Sequence, residues 1–284
     1  MGPWPLARFG AAAELIGRRE ATTLPLLGAL NPELLREARV VLGCDLESIG
    51  LSTDLDATNP TVVERGVRGI GMASGADART FFAARATSPG TIGLTATVSA
   101  SGIAYSIEHR LGGDLAKVAA ARDVSDKTAR NAADRLGQLA HTVDHVIEDW
   151  STAGTDVRFG VVTQDRAAIA EVLSRSSIDR AQQTYFADTV AVWTKWDPNI
   201  IVRVAITAKG VVDEVGLVFR NIPGEHLVRV WRTFRLRADH AQRIGAFVGA
   251  MGTESADRFE LRLQRSAEPV LEATFVPSNN AFSR

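Results

Sequence analysis

Between Asn199 and Gly252 apolar residues recur every second position, two turn sequences interrupt them, and the period then becomes helical. This pattern restricts the fold more than any other, because strands joined by short turns must pair antiparallel with their neighbours. Ile200, Val202, Val204 and Ile206 alternate with Ile201, Arg203, Ala205 and Thr207. Lys209-Gly210 turns the chain, and Val211, Val215, Leu217 and Phe219 line a second strand. Asn221-Ile-Pro-Gly224 makes the next turn, since proline fixes φ and glycine accepts a positive one. A third strand then carries Val228, Val230, Phe234 and Leu236 on one side and Arg229, Trp231 and Arg235 on the other. Ile244, Phe247, Val248 and Met251 follow at helical spacing between Asp239 and Gly252.

The rest of the chain offers a similar order. Asn31-Pro32-Glu33 is a helix start, and Leu34, Leu35, Ala38, Val41, Leu42, Leu46 and Ile49 recur at three and four, predicting a helix that Gly50 closes. Asn59-Pro60 opens a second helix. From Ala78 to Ile107 three strands are expected, with turns at Ser88-Pro-Gly90 and Ala100-Ser-Gly102. Leu115, Val118 and Ala119 start a short helix, and a long helix is expected from Ser125 to Trp150. Val157–Val162 reads as a strand, and both Gln164–Leu173 and Ser177–Trp196 read as helices. After Gly252, Phe259-Leu261-Leu263 and Val270–Phe275 are two alternating runs that form a hairpin through Ala267-Glu-Pro269.

The expected fold is α+β, with two quasi-symmetric halves, each an antiparallel three-strand meander with packed helices. The halves span residues 1–150 and 151–252, and residues 253–284 add a hairpin and tail to a single compact domain.

Composition excludes several classes. The chain has 284 residues, 45% hydrophobic and 23% charged, which is globular rather than disordered composition. A formal net charge of −1 gives no global attraction for nucleic acid. The single cysteine, Cys44, excludes an internal disulfide. No secretory leader is evident at Met1-Gly-Pro-Trp-Pro and no apolar run spans a bilayer, so a cytoplasmic location is expected.

The chemical motifs are weak. His141 and His145 stand four apart on the expected long helix, but the position after the first histidine is Thr142 where a zincin helix needs an acid. No metal or cofactor is expected. Gly69-Ile-Gly71-Met-Ala-Ser-Gly75 has the inverse of the context a dinucleotide loop requires, so it reads as a helix stop. Cys44 falls among apolar neighbours as a packed small residue. With neither a nucleophile elbow nor a carboxylate pair that can be placed across a cleft, no enzymatic activity is expected. The strongest binding feature is the outward face carrying Arg229, Trp231, Arg235 and Arg237, since Arg and Trp concentrate where interfaces carry energy.

Several of these stretches together resemble the actinobacterial EspG family, the cytoplasmic chaperones of type VII (ESX) secretion. They are Trp4 and Phe9, Leu24-Pro25 before Asn31, the Glu33–Asp45 segment ending in Glu47-Ser-Ile-Gly50-Leu51, the Asn59-Pro60 helix, and the final helix Ala238–Ile244. The resemblance implies a binding protein that holds a helical PE–PPE heterodimer. Tyr185, Trp196, Arg229, Trp231 and Arg235 are then the expected partner-binding residues, on the surface argument alone. The alternative from another class is a small-molecule-binding protein or enzyme using a pocket between the two meanders.

Overall fold

The computed structural model describes residues 10, 11, 13–15, 17, 39–56, 91–100, 102–120, 124–151, 154–176, 178, 180, 183, 184, 187, 190, 191, 197–206, 212–223, 238–251, 255–264 and 270–275. Ten strands are described: β1 (Arg39–Gly43), β2 (Ser48–Asp56), β3 (Thr91–Ser99), β4 (Gly102–Gly113), β5 (Val143–Ser151), β6 (Gly154–Thr163), β7 (Ile200–Ile206), β8 (Val212–Pro223), β9 (Ser255–Gln264) and β10 (Val270–Phe275). Each strand is a neighbour of the next in sequence, and β1 pairs antiparallel with β10, so the ladder closes into a ten-strand barrel. This overturns the α+β expectation of two separate meanders with packed helices. The turns were legible, but turns report only neighbouring pairs. Closure depends on the pairing of the first strand with the last.

The helical reading of Glu33–Gly50 fails for a related reason. Residues 39–50 form the β1–β2 hairpin, in register from Arg39↔Ser52 to Leu42↔Ile49. Val40, Val41 and Leu42 are buried, which puts apolar groups on both faces of β1. A short run apolar on both faces carries no period that separates strand from helix. The turn is tight: Leu46 has φ 64°, its N–H reaches Gly43 O at 2.9 Å, and Asp45 Oδ1 accepts from Glu47 N at 2.8 Å. Cys44 is buried in this turn, not on a helix.

The expected helix from Ser125 to Trp150 is three elements. Helix α2 (Asp126–Leu136) follows α1 (Leu115–Ala120), and a 3₁₀ turn (Gly137–His141) leads into β5. Ser125 caps α2, accepting from Thr128 N, and Gly137 at φ 58° ends it, because a left-handed residue cannot continue a right-handed helix. The three-and-four spacing of apolar residues runs on past that break by coincidence. His141 and His145 therefore do not share a helix. Helix α3 (Arg166–Arg175) is capped by Asp165 and agrees with the sequence reading, as does α4 (Ala238–Met251). The expected third strand at 228–236, the Asn59-Pro60 helix and the Gly69–Gly75 loop lie outside the described residues. In the described sheet β8 is followed by β9.

By internal contacts the chain divides into two compact units. The first comprises residues 1–107, 223–257 and 272–284, and the second residues 108–222 and 258–271. In the first, Ile49, Leu51, Leu94, Ala96, Ala273 and Phe275 share one buried face of paired strands. Phe247 of α4 meets Phe275 at 5.8 Å between ring centroids. The opposite face is polar, with Arg39 2.8 Å from Asp54 and 3.3 Å from Asp257.

In the second unit, Phe159, Val161, Val202, Val204, Val215 and Leu217 form the apolar face, and α2 packs on β7. Helix α3 is tied to α2 by Arg175 Nη1, which donates to Asp134 O at 2.9 Å. No described helix is long and apolar enough to cross a membrane.

Candidate functional site

The polar face of the second unit is where chemistry concentrates. Pairing places Arg158 opposite Ala205, and Arg203 opposite both Gly160 on β6 and Gly216 on β8. Because side chains alternate along a strand, Arg158 and Arg203 point away from the apolar layer to which Phe159 and Val204 belong. The two flanking glycines leave room for the Arg203 stem. A Cβ on Gly160 would stand 3.4 Å from Arg203 Cγ and 3.3 Å from His145 Cβ. One on Gly216 would stand 3.2 Å from Glu260 Oε1.

These groups form a chain of opposite charges. Arg158 Nε and Nη2 lie 2.6 and 2.7 Å from the Asp149 carboxylate, and its Nη1 donates to Glu260 Oε1 at 3.1 Å. The other Glu260 oxygen accepts from Arg203 Nη1. Arg203 Nη2 is 3.6 Å from Glu108 Oε1. Glu108 is also 2.6 Å from Arg258 Nη1 and 3.1 Å from His145 Nδ1, the latter contact not aligned as a linear hydrogen bond. Arg203 and Glu260 are 3 and 6% exposed. Charges so shielded persist only when paired, because an isolated buried ion costs several kcal/mol.

Electrostatics follow from the pairing. Burial alone would raise the Glu108 pKa, but His145, Arg203 and Arg258 hold its carboxyl well below the usual range. Glu260 is likewise held low against burial, by Arg203, Arg158 and Arg262. Burial opposes the charge on Arg158, and Asp149 and Glu260 outweigh it, raising its pKa further.

Because the folded-state pKa values of Glu108 and Glu260 are depressed, their contribution to stability is complete above the ordinary value of 4.5 and is lost as pH falls through the folded values. We expect urea midpoints to fall below pH 4.5, and to fall less steeply in Glu108→Gln. A midpoint slope unchanged by that substitution would show that Glu108 is not the linked group.

Arg203 is not fully satisfied. Its Nε and Nη2 are buried and without hydrogen-bond partners among the described residues. Nη2 meets only the Glu108 carboxylate, at 3.6 Å and beyond hydrogen-bond range, so a buried guanidinium beside glycines keeps donor capacity that suits an anionic group placed against this face. His141, by contrast, is exposed on the 3₁₀ turn, 2.9 Å from Asp114 and apart from this cluster. No group of three or more metal-ligating side chains suited to an ion occurs among the described residues.

Tyr185, Trp196, Arg229, Trp231 and Arg235, the residues expected to bind a partner, lie outside the described residues. Sequence reading missed Glu108, Asp149, Arg158, Arg203 and Glu260, and set His145 on a helix. One signal was present: Arg258-Phe-Glu260-Leu-Arg262-Leu alternates charge with apolar residue, and the charges alternate in sign along one face.

No protein-family model matches the chain, and no curated protein matches it in sequence. Solved structures do match in fold. A 5-dimethylallyltryptophan synthase from Streptomyces coelicolor superposes with a TM-score of 0.63 at 15% identity, over 99% of this chain and 97% of that one. A 6-dimethylallyltryptophan synthase from Micromonospora olivasterospora, in complex with tryptophan and DMASPP, gives 0.66 at 10% identity, over 96% and 95%. The prenyltransferase PriB, bound to L-tryptophan and dimethylallyl thiolodiphosphate, gives 0.64 at 11% identity, over 96% and 94%. At these identities the likeness shows a shared fold.

It overturns the EspG resemblance and what was drawn from it: the type VII secretion chaperone, the PE–PPE partner and the non-enzymatic role. The similar chains are prenyltransferases crystallised with small molecules. The EspG reading depended on short helix starts and on a helix at Glu33–Asp45, of which residues 39–43 are strand.

Proposed function

We propose that the protein transfers an allylic group from a diphosphate donor to an aromatic acceptor of the tryptophan class. The observation that carries the reading is Arg203, a buried guanidinium set between Gly160 and Gly216 whose Nε and Nη2 make no hydrogen bond among the described residues. Its support is the fold shared with enzymes whose names and complexes specify dimethylallyl transfer and tryptophan. Of the two functions weighed from sequence, this one falls with the small-molecule enzyme.

The chemistry asks for what these side chains offer. When the allylic carbon–oxygen bond breaks, negative charge grows on the diphosphate. Preorganised guanidinium donors in a shielded site stabilise that charge more than water does. Arg203 supplies Nε and Nη2 for this, while Glu260 holds the guanidinium in orientation through Nη1. The carboxylates Glu108 and Glu260 balance the arginine charges of this face.

The test is direct. Purified protein with dimethylallyl diphosphate and L-tryptophan should release diphosphate and yield tryptophan heavier by one dimethylallyl unit. Calorimetry should show saturable binding of dimethylallyl thiolodiphosphate. Neither diphosphate release with any of a panel of indoles and phenols nor binding of the thiolodiphosphate would overturn the reading.

A further inference from the structure

Alkylation of an aromatic ring ends with loss of a proton from the ring carbon attacked, so a basic group must stand within reach. The carboxylates of the polar face are poor candidates. Asp149 is held by two nitrogens of Arg158, Glu260 lies between Arg158 and Arg203, and Glu108 faces Arg203, Arg258 and His145. Protonating any of them breaks a buried ion pair.

His145 differs. It projects from β5 on the same face as Arg203, with Gly160 directly across on β6. Its Nδ1 faces Glu108 at 3.1 Å, and the other ring nitrogen, Nε2, takes no part in that contact. A carboxylate at one ring nitrogen selects the tautomer with hydrogen there, leaving the other nitrogen as the acceptor, and stabilises the imidazolium once formed. The carboxylate that does this is one that its arginines keep ionised.

We infer that His145, oriented by Glu108, is the proton acceptor of the transfer reaction, an assignment that rests on the function proposed above. The allylic carbon–oxygen bond breaks and diphosphate leaves with the electron pair. The ring carbon bonds the allylic carbon, and the proton on that ring carbon passes to Nε2. Imidazolium then sits beside the Glu108 carboxylate until product release returns the proton to solvent. The charge that faces the ring is Glu108 from β4, which is itself paired with Arg203 from β7 and Arg258 from β9.

His145→Gln keeps a polar side chain but cannot accept the proton. It should lower kcat about 100-fold or more while changing KM for either substrate less than about threefold. With ring-deuterated tryptophan the variant should show a primary isotope effect on kcat that the wild type lacks, because proton removal becomes the slow step. If Gln does not fold to a wild-type melting temperature, His145→Asn takes its place. Wild-type protein that prenylates while either folded variant matches its kcat and isotope effect would overturn this assignment alone. Wild-type protein that neither prenylates nor binds the thiolodiphosphate would overturn the proposed function, and this assignment with it.

Discussion

Glu260→Leu should destabilise the protein by about 3–5 kcal/mol, the usual result of removing one member of a buried ion network. Glu260 is 6% exposed and accepts from two arginines at once, Arg158 at 3.1 Å and Arg203 through its other oxygen. Leucine offers neither of them an acceptor. Arg158 keeps Asp149, but Arg203 keeps only the 3.6 Å approach to Glu108. Equilibrium unfolding in urea reads the effect, and a loss under about 1 kcal/mol would mean that water or rearrangement replaces the carboxylate. The double variant Glu260→Leu with Arg203→Met should be less destabilised than the two single losses added, since the second change removes the cation that the first left unpaired.

Arg203→Met should have the opposite balance, a smaller loss of stability and a larger loss of ligand binding. Methionine fills the stem's volume between Gly160 and Gly216, and every carboxylate the arginine met keeps another cation: Arg158 for Glu260 and Arg258 for Glu108. The donors that make no hydrogen bond leave with the side chain, and their desolvation cost leaves with them. On the function proposed here, affinity for dimethylallyl thiolodiphosphate should fall about 100-fold, near 2.7 kcal/mol. Calorimetric titration at fixed ionic strength measures it. Unchanged affinity would remove Arg203 from the anion site and with it the observation on which the function rests.

Local pattern was readable where one physical cause acted alone. The strands β3, β6, β7, β9 and β10 and the helices α3 and α4 follow from alternation, from the Asp165 cap and from three-and-four spacing. It misled where two causes produce one pattern. In Arg39-Val-Val-Leu-Gly, burial on both faces removes the alternation that marks a strand, and past Gly137 apolar spacing imitates a helix that the backbone has already ended. The charged site was hidden differently. Arg203 among Ile201, Val202 and Val204 reads as one solvated position on a half-buried strand.

The sequence by itself determined which residues share a face in the strands it marked by alternation, such as β6, β7 and β9, because side-chain alternation is a property of the strand backbone. It also determined that one face of each central strand is apolar and must be covered. Only the tertiary structure decided that the strand ladder closes from β1 to β10. It alone decided that the polar face is shielded, so that Arg158, Arg203 and Glu260 are paired ions at 10% exposure or less. The reason is the sequence separation of the partners. Arg158 and Glu260 are 102 residues apart, and Arg258 and Glu108 are 150. No local preference encodes such a pairing, since each residue acquires its partner only when distant strands take up their register.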